Sequence, residues 1–120
     1  MEVTEKFKII YSEDVVAFLS QLNKKASAKI MYNINKCKYV LDKNLFKKLE
    51  SSEIWEFRTL YNGTHYRIFA FWDTEMECLV VTTHAIIKKT QKTPTKEIEK
   101  AEAIRIEYFK QKRQAQNGKD

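Results

Sequence analysis

The chain has 120 residues, enough for one domain with one hydrophobic core, and its 43% hydrophobic fraction is ordinary for a soluble fold. Two glycines and one proline argue against a disordered or loop-dominated chain, and two isolated cysteines, Cys37 and Cys78, exclude a disulfide framework or a paired-cysteine zinc site. The net charge is +6, and between Lys88 and Arg113 nine Lys/Arg stand against four Glu, which points to a polyanion or an acidic protein partner. Each cysteine reads as a small buried apolar residue. No apolar run approaches the ~20 residues of a membrane span. Met1–Lys6 lacks a signal-peptide core, so a soluble cytoplasmic protein is expected.

Phe7–Tyr11 reads as a first strand. Ser12 is placed to cap a helix whose first turn carries Glu13 and Asp14, with Val15, Phe18, Leu19 and Leu22 as its apolar stripe. After a break at Asn23–Lys25, a second helix shows Ile30, Met31, Ile34, Cys37 and Leu41 at helical spacing. The short connection predicts an antiparallel helical pair. Leu45, Phe46 and Leu49 read as a connection packed on the core. Strands are then expected over Ile54–Tyr61, Thr64–Trp72 and Leu79–Ile87, the first two joined by Asn62-Gly63, a strong hairpin signal. Thr93 is expected to cap the last helix, with Pro94 at its first position and Ile98, Ala101, Arg105 and Tyr108 along its stripe. The result is a single α+β domain of order β-α-α-β-β-β-α over residues 1–112, with a polar, frayed tail at 113–120.

The hairpin fixes a register. A two-residue loop pairs Tyr61 with Thr64, so Arg58 falls opposite Arg67 on one face. Like charges so placed destabilise a hairpin by up to ~1 kcal/mol, and Glu56, diagonal to Arg67, is able to neutralise only one of them. Lys88, Lys89 and Lys92 follow the next strand and lead to the start of a helix, where free N–H groups favour anions. Two arginines and several lysines therefore converge on one expected phosphate. Guanidinium groups suit stabilisation of a phosphorane in RNA cleavage. His84 shares its strand face with Ile86 and Lys88 and is a possible acid or base. Tyr66 and Tyr108 are possible hydroxyl donors or stacking platforms, and His65 adjoins the turn. No Gly-rich phosphate loop, Ser/His/Asp set or HExxH motif occurs.

Ile54-Trp55-Glu56-Phe57-Arg58, Tyr66-Arg67-Ile68 and above all Lys88-Lys89-Thr90-Gln91-Lys92-Thr93-Pro94 carry a resemblance to the RelE/ParE superfamily of type II toxins, in particular its HigB-like branch. The resemblance spans about Phe7 to Lys112. Relatives usually have an aromatic two residues before the Lys-Lys pair, where this chain has Ile86. The resemblance implies helices on an antiparallel sheet and a metal-independent, cofactor-free endoribonuclease that cuts mRNA on the translating ribosome. It implies a cognate antitoxin, of helix-turn-helix type, as partner. Carried over, Arg67, Lys88 and His84 are the catalytic candidates, and Arg58, Lys89 and Lys92 the RNA-binding ones. The alternatives are a gyrase-inhibiting ParE-type toxin without nuclease activity and an inactive member that only binds its antitoxin.

Overall fold

Asn62 and Gly63 take φ of 52° and 77°, the left-handed pair that a type I′ turn requires. The strands they join pair in the expected register, with Tyr61 opposite Thr64 and Arg58 opposite Arg67. The computed structural model describes residues 4–88, 90 and 92–117. In chain order its elements are β1 (Lys8–Ile10), α1 (Glu13–Gln21), α2 (Lys24–Cys37), β2 (Phe46–Lys48), β3 (Trp55–Tyr61), β4 (Thr64–Asp73), β5 (Leu79–Lys88) and α3 (Thr95–Asn117). The α+β class holds, with one mixed five-stranded sheet of order β1-β5-β4-β3-β2.

Local chemistry sets the helix starts. Ser12 Oγ accepts from Val15 N at 3.2 Å, and Asn23 Oδ1 accepts from Ala26 N at 2.8 Å, each satisfying an N–H that the first turn leaves open. Helix α1 packs on β5 and α2 on β3. Both cover one face of the sheet, where Phe7, Val15, Ile30, Ile34, Phe57 and Ile68 are buried together. Helix α3 covers the other face, burying its Ala101 and Phe109 against Ile54, Phe69, Phe71 and Val81. Each of the larger side chains contributes roughly 1.5–3 kcal/mol by leaving water.

The structure departs from the sequence reading in six places. The segment expected to be a mere connection holds β2, antiparallel to β3 at the sheet edge. Strand β1 runs parallel to β5, so the sheet is mixed rather than a pure antiparallel meander. Helix α2 ends at Cys37, and Leu41, expected on its stripe, is exposed. Cys37 is buried, its thiol pushed up to about 11 by desolvation, whereas Cys78 is exposed in a turn at φ 61°. Helix α3 starts at Thr95, one residue later than expected. It also runs on to Asn117, beyond the boundary expected at residue 112.

A bulge positions the site. Ile68 pairs with Ala85 and Ala70 with Thr82, so Phe69 stands opposite both Thr83 and His84. The extra residue reverses the alternation of β5. Leu79 and Val81 face α3 before it, and Ile86 faces α3 after it. That shift carries Lys88, two residues beyond Ile86, to the side of the sheet where Arg67 lies opposite Ile86.

Candidate phosphate-binding site

The α3 side of the sheet carries Glu56 and Arg58 on β3, Arg67 on β4 and Lys88 on β5. Glu56 is buried at their centre. Its Oε1 lies 3.4 Å from Arg58 Nε and 3.5 Å from Arg67 Nε. Neither Nε has hydrogen-bond geometry to it, so these are ion pairs held by charge alone. Its Oε2 accepts from Thr93 Oγ1 at 2.7 Å, and that hydroxyl accepts from Lys88 Nζ at 3.1 Å. Three cations thus share one carboxylate, directly or through Thr93. Buried ions are costly even when paired, and among the described residues Arg58 and Arg67 alone set two positive charges against the one carboxylate of Glu56.

Depth separates the three. The Arg58 side chain is 23% exposed and that of Arg67 only 2%. Lys88 is buried as well. Arg58 is therefore the cation a ligand meets first, with Arg67 on the floor behind it. Burial pushes the Arg67 guanidinium below its ordinary range, Glu56 opposes the shift and Arg58 adds to it. The Lys88 ammonium is likewise lowered, first by burial and then by Arg67, against the pull of Glu56. An arriving anion relieves both effects, because it pairs with the charged forms that burial and repulsion disfavour.

Arg58 borders two open clefts. The larger, about 630 Å³, runs from Arg58 and Arg67 to the Lys29–Lys36 face of α2. The smaller, about 250 Å³, lies among Glu56, Lys92 and Thr93.

Of the residues expected at the site, Arg58, Arg67 and Lys88 are brought together, and Lys92 is exposed on the smaller cleft. Lys89 lies outside the described residues. His65 stands opposite Lys88 across the strands. His84 belongs to a different network: its ring stacks on Phe69 at 4.8 Å, with Nε2 3.3 Å from Glu97 Oε1 and Nδ1 3.1 Å from Thr83 Oγ1. Burial, then Lys100, pushes its pKa down against the pull of Glu97. The ring is therefore neutral near pH 7. A carboxylate only accepts, which assigns the proton to Nε2 and makes Nδ1 the acceptor. Tyr66 is buried on the opposite face, and Tyr108 donates to Asp73 Oδ2 at 2.7 Å. Neither hydroxyl joins the cation cluster through these contacts.

Thr93 is the member of the cluster that sequence reasoning missed. Its position before Pro94 marks it as a helix cap, yet its hydroxyl bridges Lys88 and Glu56. The carboxylate two residues before Arg58 was the available signal, since a buried acid among cations calls for a further donor.

Residues 17–106 match the family model described as phage-derived protein Gp49-like (DUF891). Neither a curated protein nor a solved structure matches the chain.

Proposed function

The chain belongs to the phage-derived Gp49-like family, a toxin–antitoxin-associated family of RelE-like kind, and from that premise we propose that it is a ribosome-dependent mRNA endonuclease of the HigB-like type. The observation that carries this reading is the sharing of one buried carboxylate by Arg58, Arg67 and Lys88. A surplus of cations beside an open cleft suits a phosphate that gains charge in its transition state.

In this reading Arg58 receives a non-bridging oxygen of the scissile phosphate. Arg67, fixed beneath it, stabilises the charge that develops when the ribose 2′-oxygen attacks phosphorus. The P–O5′ bond breaks as the new P–O2′ bond forms, giving a 2′,3′-cyclic phosphate. Lys88, whose ammonium is made more acidic by burial and by Arg67, protonates the departing 5′-oxygen. Lys92, exposed on the smaller cleft, and Lys89 hold the adjoining backbone. His84 has a positioning role, tying β5 to α3 through Glu97. The 2′-OH proton leaves to water or to a ribosomal group. The ribosome supplies alignment, which is worth several kcal/mol of barrier, on the order of 7 or more at best.

An antitoxin partner follows from the family, and we take it to be a helix-turn-helix protein. No helix among the described residues is long and apolar enough to cross a membrane. A cytoplasmic setting is part of the proposal, because translating ribosomes are there. The test is to add the purified chain to a translation extract and map mRNA 5′ ends. Cuts within the codon at the ribosomal A site are expected. Intact mRNA with inhibited DNA gyrase would instead identify the gyrase-directed alternative.

A further inference from the structure

The larger cleft extends beyond the cation cluster to one face of α2, where Lys29, Tyr32, Asn33 and Lys36 recur at i, i+3, i+4 and i+7. Such spacing brings side chains to one helix surface. Asn33 is the inner member, buried and donating to Thr59 Oγ1 on β3 at 3.1 Å, which pins this face against the strand carrying Arg58. Tyr32 is the outer member, and its side chain lies open, 62% exposed. Lys29 Nζ sits over its ring, 5.2 Å from the centroid, while Lys36 stands one turn further along. Asp42 lies in the same cleft but is engaged by its own loop, with Oδ1 accepting from Asn44 N at 2.8 Å. The cleft thus leads from buried Arg67 and half-buried Arg58 to an exposed aromatic ring that carries Lys29 over one face.

We propose that this face of α2 is a nucleobase subsite. The nucleotide adjoining the phosphate held at Arg58 stacks its base on Tyr32, and Lys29 and Lys36 take the flanking phosphates. Basic grooves with aromatic platforms bind single strands in this manner, because every base offers a π-face to stack. An acidic protein segment could use the lysines and the ring as well, but the cleft is continuous with Arg58 and Arg67, which favours a strand that carries both phosphates and bases. The inference rests on the phosphate reading above and extends it along the RNA strand.

The test uses a short single-stranded, 2′-O-methylated oligoribonucleotide carrying 2-aminopurine, whose fluorescence falls when the base stacks. Wild type, Tyr32→Ala, Tyr32→Phe and Arg58→Ala are titrated in parallel at fixed salt. Tyr32 is exposed, so its variants should fold. Expected is a loss of about tenfold in affinity for Tyr32→Ala, the scale of one base–aromatic stack, with loss of quenching. Tyr32→Phe should retain both affinity and quenching. If Tyr32→Ala binds and quenches like wild type while Arg58→Ala is weakened, the subsite is wrong and the phosphate site stands. If wild type does not bind, or neither variant is weakened, both are wrong. If Tyr32→Ala leaves RNA binding intact and weakens the antitoxin complex, the face belongs to the protein partner and the proposal is overturned.

Discussion

Arg58 and Arg67 lie directly opposite each other across the β3–β4 hairpin and approach the same oxygen of Glu56, at 3.4 and 3.5 Å. Two guanidinium groups competing for one acceptor leave both incompletely paired. Strand pairing dictates this, because neither arginine can leave the other without breaking the register. Incomplete pairing of buried cations costs stability, and in the proposed function the scissile phosphate completes it.

Glu56 is the first residue to test. Glu56→Gln keeps the shape but removes the charge that Arg58, Arg67 and Thr93 approach. Breaking a buried pair costs about 3–5 kcal/mol because the other charge is left uncompensated. Chemical denaturation is expected to show a loss on that scale. Inorganic phosphate is expected to recover more stability in this variant than in wild type. A variant as stable as wild type in phosphate-free buffer would show that the carboxylate does not hold the cluster.

Lys88 can be tested by separating its charge from its proton. Lys88→Met is expected to lower single-turnover mRNA cleavage by roughly 10²–10⁴-fold, the usual contribution of a positioned acid. Lys88→Arg keeps the cation but is not able to give up its proton near neutral pH. It should restore RNA binding without restoring the rate. Full recovery of the rate by arginine would assign Lys88 a purely electrostatic role.

The sequence made the Arg58–Arg67 pairing legible because Asn62-Gly63 encodes a turn of known length, and counting outward from it requires no tertiary information. The Arg67–Glu56 contact followed from the same count. Three other features were not legible. Phe46-Lys47-Lys48 is too short and too basic to announce a strand, and β2 exists because β3 offers it an edge. The bulge at Thr83–His84 has no glycine or proline to mark it, yet it decides which side of the sheet receives Lys88. Thr93 carries a strong local capping signal, but its hydroxyl bridges Lys88 and Glu56 across the fold. Short-range patterns therefore located the arginines, while the contacts between distant strands and α3 completed the site.

His84 gives a pH prediction with a definite sign. Burial holds its folded-state pKa below the ordinary value, near 6.5 in an unfolded chain. As pH falls, the unfolded chain takes up the proton first, so the folded state loses relative stability. The contribution is complete above about pH 6.5 and declines as pH falls from there toward the lower folded-state value. Thermal unfolding of wild type should show this decline on acidification below about pH 6.5, and His84→Gln should show less of it. Burial raises the Asp73 carboxyl, but Lys112, Tyr108 and the Glu75 and Met76 amides together outweigh it and hold it low, so it adds its own loss only in more acidic solution. Identical profiles for the two proteins above that range would remove His84 from the account.

Salt offers a check on Arg58 as the outer phosphate contact. Binding of single-stranded RNA should weaken linearly in a plot of log K against log salt, with a slope near 0.7 per phosphate neutralised. Arg58→Ala should reduce that slope by about one such increment. An unchanged slope would mean that the phosphate is engaged elsewhere.

Arg67→Ala in a translation extract tests most directly whether the hairpin arginines serve cleavage of ribosome-bound mRNA. Arg67 sits on the floor of the site, only 2% exposed, so thermal unfolding must accompany the cleavage measurement. The expected result is a folded variant that no longer cuts mRNA within the A-site codon, beside a wild type that does. A folded Arg67→Ala that cuts mRNA at the wild-type rate would contradict it.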